Sequence, residues 1–298
     1  MSPHPRRSRI AWLAVILFVM ALAACSPAAT PTPVRPTAVP TVTPLPAGWA
    51  PPESPAGPVE VSYIDNCGFL IAGGGKKILI DAHHLGVPAD IRSAIETAQP
   101  PFDDVDLILI THNHYDHFHA GMLGRALEAS PQTVVATTEE TVADMERSFA
   151  GFERVKERIK GFLPARGERM QVTLNGVGLE VLNLPHGVTP ENVGFVIHLA
   201  GKKLLHTGDV INPALPAVYN LTADGLDLAF VPLYYLTDQQ FLKDDGRATI
   251  VDIVGAEWIV PMHCAPEELT MGDTYQVLKE RYPKSMLFRT RMEPQTLQ

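Results

Sequence analysis

Basic residues are scarce in this chain: 24 lysines and arginines stand against 33 aspartates and glutamates, for a net charge of −9. No basic stripe runs through it, which removes nucleic acid from the partners to be considered. Cysteine is nearly absent, with only Cys25, Cys67 and Cys264 present. Long apolar runs are missing too, apart from Ile10–Ala24. At about 15 residues that run is shorter than the roughly 20 a spanning helix needs, so a permanent transmembrane anchor is the second choice. There are no internal repeats, and no linker interrupts the chain after residue 58.

What is there begins with targeting. Arg6, Arg7 and Arg9 precede the apolar run, which exits through Leu22-Ala23-Ala24-Cys25. A basic head, an apolar middle and a small-residue exit make residues 1–24 a secretory signal peptide. The exit resembles the bacterial lipoprotein box, and that resemblance implies a lipid on Cys25, now the first residue of an extracytoplasmic, membrane-anchored protein. Residues 25–58 alternate proline, threonine, alanine and valine, a composition that favours extended conformers over a packed core and reads as a tether. Removing residues 1–24 leaves 33 acidic against 21 basic residues, net −12. Export would permit Cys67 and Cys264 to pair; two small buried thiols are the simpler reading.

Residues 59–298 read as one domain. Val59–Ile64, Phe69–Ala72 and Lys77–Asp81 form successive strands, with Gly73-Gly74-Gly75 as a hairpin turn. Leu107–Ile110 is a buried strand, Ala120–Ala129 a helix that Ser130-Pro131 stops, and Val134–Ala136 another strand. Residues 138–160 carry an amphipathic helical pattern interrupted near Gly151; their balanced charge fits a solvated face better than a lid. Strands return at Gln171–Leu174, Leu179–Leu184, Val193–Leu199, Lys203–His206, Leu228–Val231 and Trp258–Val260, with helices over 248–255 and 273–281. The fold class is α/β or α+β, with two sheets face to face and helices outside.

Thr111-His112-Asn113-His114-Tyr115-Asp116-His117 gathers three imidazoles and a carboxylate directly after a buried strand. These are donors that zinc accepts, usually four to an ion. Four donors within six residues exceed what one tetrahedral ion takes from a single loop while leaving a position open for water, so two ions are expected to share it. The missing donors should lie at the ends of other buried strands, where a rigid scaffold brings distant residues together. His186, Asp209 and His263 each follow such a strand.

His112, His114, Asp116 and His117, then His186, Asp209 and His263, resemble the metal signature of the metallo-β-lactamase superfamily across residues 59–290. The resemblance implies a four-layer αββα sandwich. It places one ion on His112, His114 and His186, the other on Asp116, His117 and His263, and Asp209 between them. The ions would be zinc, with Mn2+ or Fe2+ as alternatives. Within the superfamily, Val59–Asp81 resembles the L-ascorbate-6-phosphate lactonase-like hydrolases, although Asn66-Cys67 stands where that group often has Gly-His. An aspartate at 209 is what the resemblance implies for lactonases, thioesterases and phosphodiesterases, and true β-lactamases lack it. Di-iron flavoproteins commonly carry glutamate where His114 stands; a mono-iron persulfide dioxygenase could share these ligands.

The expected activity is metal-dependent hydrolysis of a small ester, lactone or phosphoester, since divalent cations lower the pKa of bound water and polarise the bond to be cleaved. Asp116 is the candidate catalytic residue; its plainer alternative is to cap the helix that begins near Ala120. His83 and His119 are candidate substrate contacts, against a solvated turn for His83 and a helix surface for His119. His198 and His206, inside strands, are assigned no function. A non-catalytic metal-binding lipoprotein and an iron-dependent redox enzyme are the competing classes.

Overall fold

The computed structural model describes residues 48–298. The expected signal peptide, Cys25 and the expected tether as far as residue 47 lie outside the described residues. Two sheets account for all the strands among the described residues. The first has the order β13-β1-β2-β3-β4-β5-β6, formed by Val59–Asp65 (β1), Gly68–Gly73 (β2), Lys76–Ile80 (β3), Leu107–Leu109 (β4), Val134–Thr137 (β5), Ile159–Gly161 (β6) and the C-terminal Pro294–Leu297 (β13). The second has the order β12-β11-β10-β9-β8-β7, formed by Arg169–Leu174 (β7), Val177–Asn183 (β8), Val193–Leu199 (β9), Lys202–His206 (β10), Leu228–Pro232 (β11) and Trp258–Met262 (β12). Each sheet opens as an antiparallel meander and continues in parallel, through β3-β4-β5-β6 in one and β10-β11-β12 in the other.

Three hairpins use the same device. Gly74-Gly75, Asn175-Gly176 and Ala200-Gly201 each supply two consecutive residues at positive φ between paired strand ends. That is the turn whose twist matches two antiparallel strands.

Alternation along the strands sorts side chains into layers. Leu107 and Leu109 of β4, and Val193, Phe195, Ile197 and Leu199 of β9, enter the core between the sheets, where Phe69 and Phe230 pack at 4.6 Å between ring centroids. Burying one such side chain stabilises the fold by roughly 1.5–3 kcal/mol. On the outer face of the first sheet, Ile108 and Val135 pack against helices α1 (Ala89–Glu96), α2 (Ala120–Ala129), α3 (Glu139–Ser148) and α4 (Phe152–Val155). On the outer face of the second, Val196, Leu205, Ala229 and Val231 pack against α5 (Leu233–Thr237), α6 (Thr249–Val254), α7 (Pro266–Thr270) and α8 (Thr274–Arg281). The order is helices, sheet, sheet, helices, the four layers expected.

The helical stretch over 138–160 divides where expected: Phe149 ends α3, and its ring lies against Gly124 of α2, where any Cβ would collide with it. Residues 49–57, read from composition as the end of the tether, lie against the β9–β10 hairpin. Trp49 meets the His198 ring edge-on at 5.4 Å, the Ala200 amide donates to Ser54 Oγ at 2.9 Å, and the Gly57 amide donates to the Ala200 carbonyl at 3.1 Å. Cys67 and Cys264 are both free and buried.

Candidate metal centre

Strand ends from both sheets deliver the donors to one place. β4 runs into the loop that carries His112, His114, Asp116 and His117; β8, β10 and β12 lead to His186, Asp209 and His263. The side chains form two groups, His112 with His114 and His186, and Asp116 with His117, Asp209 and His263, the ligand atoms of each lying within 4.8 Å of one another. The groups adjoin, the His112 and His117 rings being 4.1 Å apart between centroids; within the first group the His112 and His186 rings are 5.2 Å apart. Asp209 stands with the second group, its Oδ2 3.0 Å from His263 Nε2 and 3.3 Å from His117 Nε2.

A buried residue outside the expected set organises the loop. Asp81 closes β3 with a left-handed backbone, φ 45°. Its Oδ1 accepts the Thr111 amide at 2.8 Å, and its Oδ2 accepts the Thr111 hydroxyl at 2.7 Å and His117 Nδ1 at 2.9 Å. The proton is thereby held on His117 Nδ1, and Nε2 is left to face Asp209. Thr111 Oγ1 lies 3.0 Å from His112 Nδ1, while His112 Nε2 and His117 Nε2 are buried with no hydrogen-bond partner. Such orphaned nitrogens are costly unless something binds them, and a histidine that donates its other N–H to a carboxylate is the usual outer support of a metal ligand.

Asp209 is aimed by its neighbours. Asn192 Oδ1 accepts the Asp209 amide at 3.2 Å, while Asn192 Nδ2 donates to the Leu184 carbonyl at 2.6 Å, so one amide side chain joins the turns that lead to His186 and Asp209. Gly208 has φ +55°, and a Cβ there would fall 2.9 Å from Thr111 Cβ. His206 links the sheets: Nε2 donates to the Cys67 carbonyl at 3.1 Å, and Nδ1 accepts the Gly208 amide at 3.2 Å. Its ring thus positions the Asp209 turn, a role hidden by its place inside a strand. Cys67 Sγ lies 3.6 Å from Asp209 Oδ1. Asn66, with φ 51°, donates to Asp116 Oδ2 at 3.2 Å, and its carbonyl accepts the His263 amide.

Burial disfavours charge on His112 and holds its pKa down at about 2, with the neighbouring His117 adding to the effect; burial lowers His186 in the same way. These imidazoles are neutral and ready to donate lone pairs. Burial also works against a charge on His117, but the carboxylates of Asp81 and Asp209 outweigh it and raise its pKa well above the ordinary value. Burial would raise Asp209, yet His117 and His263 hold it well below the usual carboxylate range. Buried anions therefore demand a positive charge here, supplied by protons on His117 and His263 or by a divalent cation in their place.

The remaining expected residues fall elsewhere. His83 is fully buried in a cavity of about 10 Å³ shared with Leu79, Ile95, Phe102 and Ile108. It faces the core and not a mouth, and its backbone bridges to Phe118. His84 is buried as well. His119, and not Asp116, caps α2: its Nδ1 accepts the Met122 amide at 3.2 Å. His198 sits in a buried polar network, 2.9 Å from Glu180, which pairs with Arg169.

The Beta-lactamase superfamily domain model matches residues 76–287. The chain belongs to that family. A UPF0173 metal-dependent hydrolase of Pyrococcus abyssi is 27% identical over 213 residues, covering 69% of this chain and 84% of that protein. Igni18, a metallo hydrolase of Ignicoccus hospitalis, superposes with a TM-score of 0.54 at 16% identity, over 81% of this chain and 99% of its own. CmlA, a diiron β-hydroxylase from Streptomyces venezuelae, superposes with a TM-score of 0.51 at 15% identity, over 82% of this chain and 55% of its own. This family member is a metal-dependent hydrolase of metallo-β-lactamase fold.

Proposed function

We propose that the chain is a dinuclear hydrolase of a small ester, lactone or phosphoester, exported and held at the bacterial membrane by a lipid on Cys25. The juxtaposition of the two donor groups carries the reading, since it converges on one edge of the sandwich from four strand ends. His112, His114 and His186 would hold one ion, and Asp116, His117 and His263 the other, with Asp209 between them. Zinc fits imidazole and carboxylate donors; Mn2+ and Fe2+ fit them too. When bound, the ions supply an acidified water and polarise the bond to be cleaved.

The chain's own groups do the rest. His117 is kept in one tautomer by Asp81, and Asp209 is held ionised between His117 and His263. Asp116, partly open to solvent and 3.7 Å from His263 Nε2, is placed to orient the nucleophilic water and to take up its proton. The lactonase-like opening over Val59–Asp81 supports a lactone among the substrates.

The test uses the purified full chain, with bound metals measured by elemental analysis and turnover on a panel of esters, lactones and phosphoesters. Two ions per chain and hydrolysis that Asp116→Ala slows by roughly 10²–10⁴ are expected. Metal-replete protein inert on the panel would favour a non-catalytic binder, and iron with oxygen uptake would favour redox chemistry.

A further inference from the structure

Five large apolar side chains are strongly exposed among the described residues, and four of them lie on the loops that build the metal centre. Leu85, 54% exposed, follows His84. Tyr115, 86% exposed, stands between His114 and Asp116. Val188, 102% exposed, lies two residues after His186, and Ile211, 56% exposed, two after Asp209. Scattered apolar residues need no explanation, but a concentration at one site does. The loops are also joined. The Ile211 amide donates to the Pro185 carbonyl at 2.9 Å, tying the Asp209 and His186 turns, and the His83–Phe118 bridge ties the Leu85 turn to the loop of Tyr115.

Charge on these loops themselves has one sign. Residues 81–91, 111–124, 184–192, 207–242 and 263–278 contain no lysine or arginine. Arginines from outside these loops do reach them: Arg291 pairs with Asp65 at 2.7 Å and Arg147 with Asp144 at 2.6 Å, the latter carboxylate also holding Asn113, while Arg92 and Arg281 donate to the Leu85 and Leu236 carbonyls, each at 2.9 Å. Glu140 and Glu191 cap each other's amides near the His186 turn. A phosphate or a free carboxylate on a substrate would find a single guanidinium at the rim, that of Arg92, already donating to the Leu85 carbonyl, and several carboxylates would repel it.

We propose that Leu85, Tyr115, Val188 and Ile211 form an apolar rim that selects an uncharged ester or lactone bearing a hydrocarbon chain, in preference to a phosphoester. The proposal rests on the hydrolase reading and narrows its substrate class. The reaction balances with water alone: the acyl C–O bond breaks, a C–OH bond forms, and the second water proton goes to the leaving alkoxide, giving an acid and an alcohol.

The test compares 4-nitrophenyl esters from acetyl to decanoyl, γ-alkyl lactones and bis(4-nitrophenyl) phosphate, using the full chain loaded with zinc. With apolar burial at the rim, kcat/KM should rise about two- to fourfold per added methylene, and the phosphodiester should be the poorest substrate. Val188→Ser combined with Ile211→Ser should flatten that slope; both side chains are exposed, so the fold is not at stake. Calorimetry with 2-undecanone and protein without added metal gives a readout independent of turnover, and the double variant should bind about fivefold more weakly or worse. A flat slope in active wild-type protein, or preference for the phosphodiester, overturns the proposal. So does a slope unchanged in the variant while its binding to phosphatidylcholine vesicles falls, which would make the rim a bilayer contact. If metal-replete protein cleaves nothing, the hydrolase reading fails. The ketone arm then decides the rim: binding that depends on Val188 and Ile211 keeps it, and binding that ignores them removes it.

Discussion

Asp81→Asn is the sharpest probe of how the centre is supported. Asp81 is fully buried and accepts three hydrogen bonds, from the Thr111 amide, the Thr111 hydroxyl and His117 Nδ1. The amide is isosteric. Its oxygen can keep the Thr111 amide, while its NH2 replaces Oδ2 and presents a donor to His117 Nδ1, at 2.9 Å in the wild type. His117 must then accept at Nδ1, which moves its proton to Nε2, the atom that faces Asp209. A ligand that has to change tautomer loses the support a carboxylate gives, an effect of about 10- to 100-fold in metal affinity, or about 1.4–2.8 kcal/mol. Asp81→Ala would instead leave buried groups unpaired and cost roughly 3–5 kcal/mol of a total near 5–15 kcal/mol, so the amide variant is the informative one. Competition against a chromophoric chelator measures both sites, and circular dichroism checks the fold. The expected result is loss at the site of Asp116, His117, Asp209 and His263, with the site of His112, His114 and His186 held nearly unchanged. Wild-type affinity at both sites in a folded Asp81→Asn protein would refute the reasoning.

Other outcomes follow from the same geometry. Metal affinity at the second site should rise about tenfold per pH unit for each proton displaced, above pH 6.5 and up to the raised pKa of His117, whereas the first site, with His112 already neutral, should show a shallower dependence; titrations between pH 6 and 9 separate the two. The sign for metal-free protein is opposite: a folded pKa raised above the unfolded value of 6.5 contributes stability that is complete below that value and is lost as pH rises through the folded pKa, so denaturant midpoints should fall on that side. Gly208→Ala forces a side chain into a positive-φ turn against Asn192 and Thr111 and should cost about 2–4 kcal/mol, read from urea midpoints. Phe230→Ala, which empties the core between the sheets beside Phe69, should cost about 3–5 kcal/mol without selective loss of metal. Asp116→Ala should lower kcat by roughly 10²–10⁴ with the thermal midpoint nearly unchanged.

Much of this was legible in the chain because period-2 runs and glycine turns are local signals. Val193–Leu199 and Ala120–Ala129 appear with their expected bounds. Several short elements, α5 and α7 among them, were not legible. β6 is held by pairing with β5, β13 by pairing with β1, and α1 by a buried Ile95; none has a long periodic pattern of its own. The seven donors could be named because each follows a buried strand. Asp81 satisfies the same description, a charge ending Ile78-Leu79-Ile80, yet its partner His117 is 36 residues away and only the β3–β4 pairing brings them together. His206 was hidden for a related reason: inside a strand, its ring reads as packing until the Cys67 carbonyl arrives from the other sheet. His83 misled in the opposite direction, because the backbone after β3 turns it inward.

An anomalous-difference map from crystals grown with zinc tests the central claim most directly. Two peaks are expected, one among His112, His114 and His186 and one among Asp116, His117, Asp209 and His263. A map without peaks there at full zinc loading, or with the ion bound elsewhere, would contradict the dinuclear account.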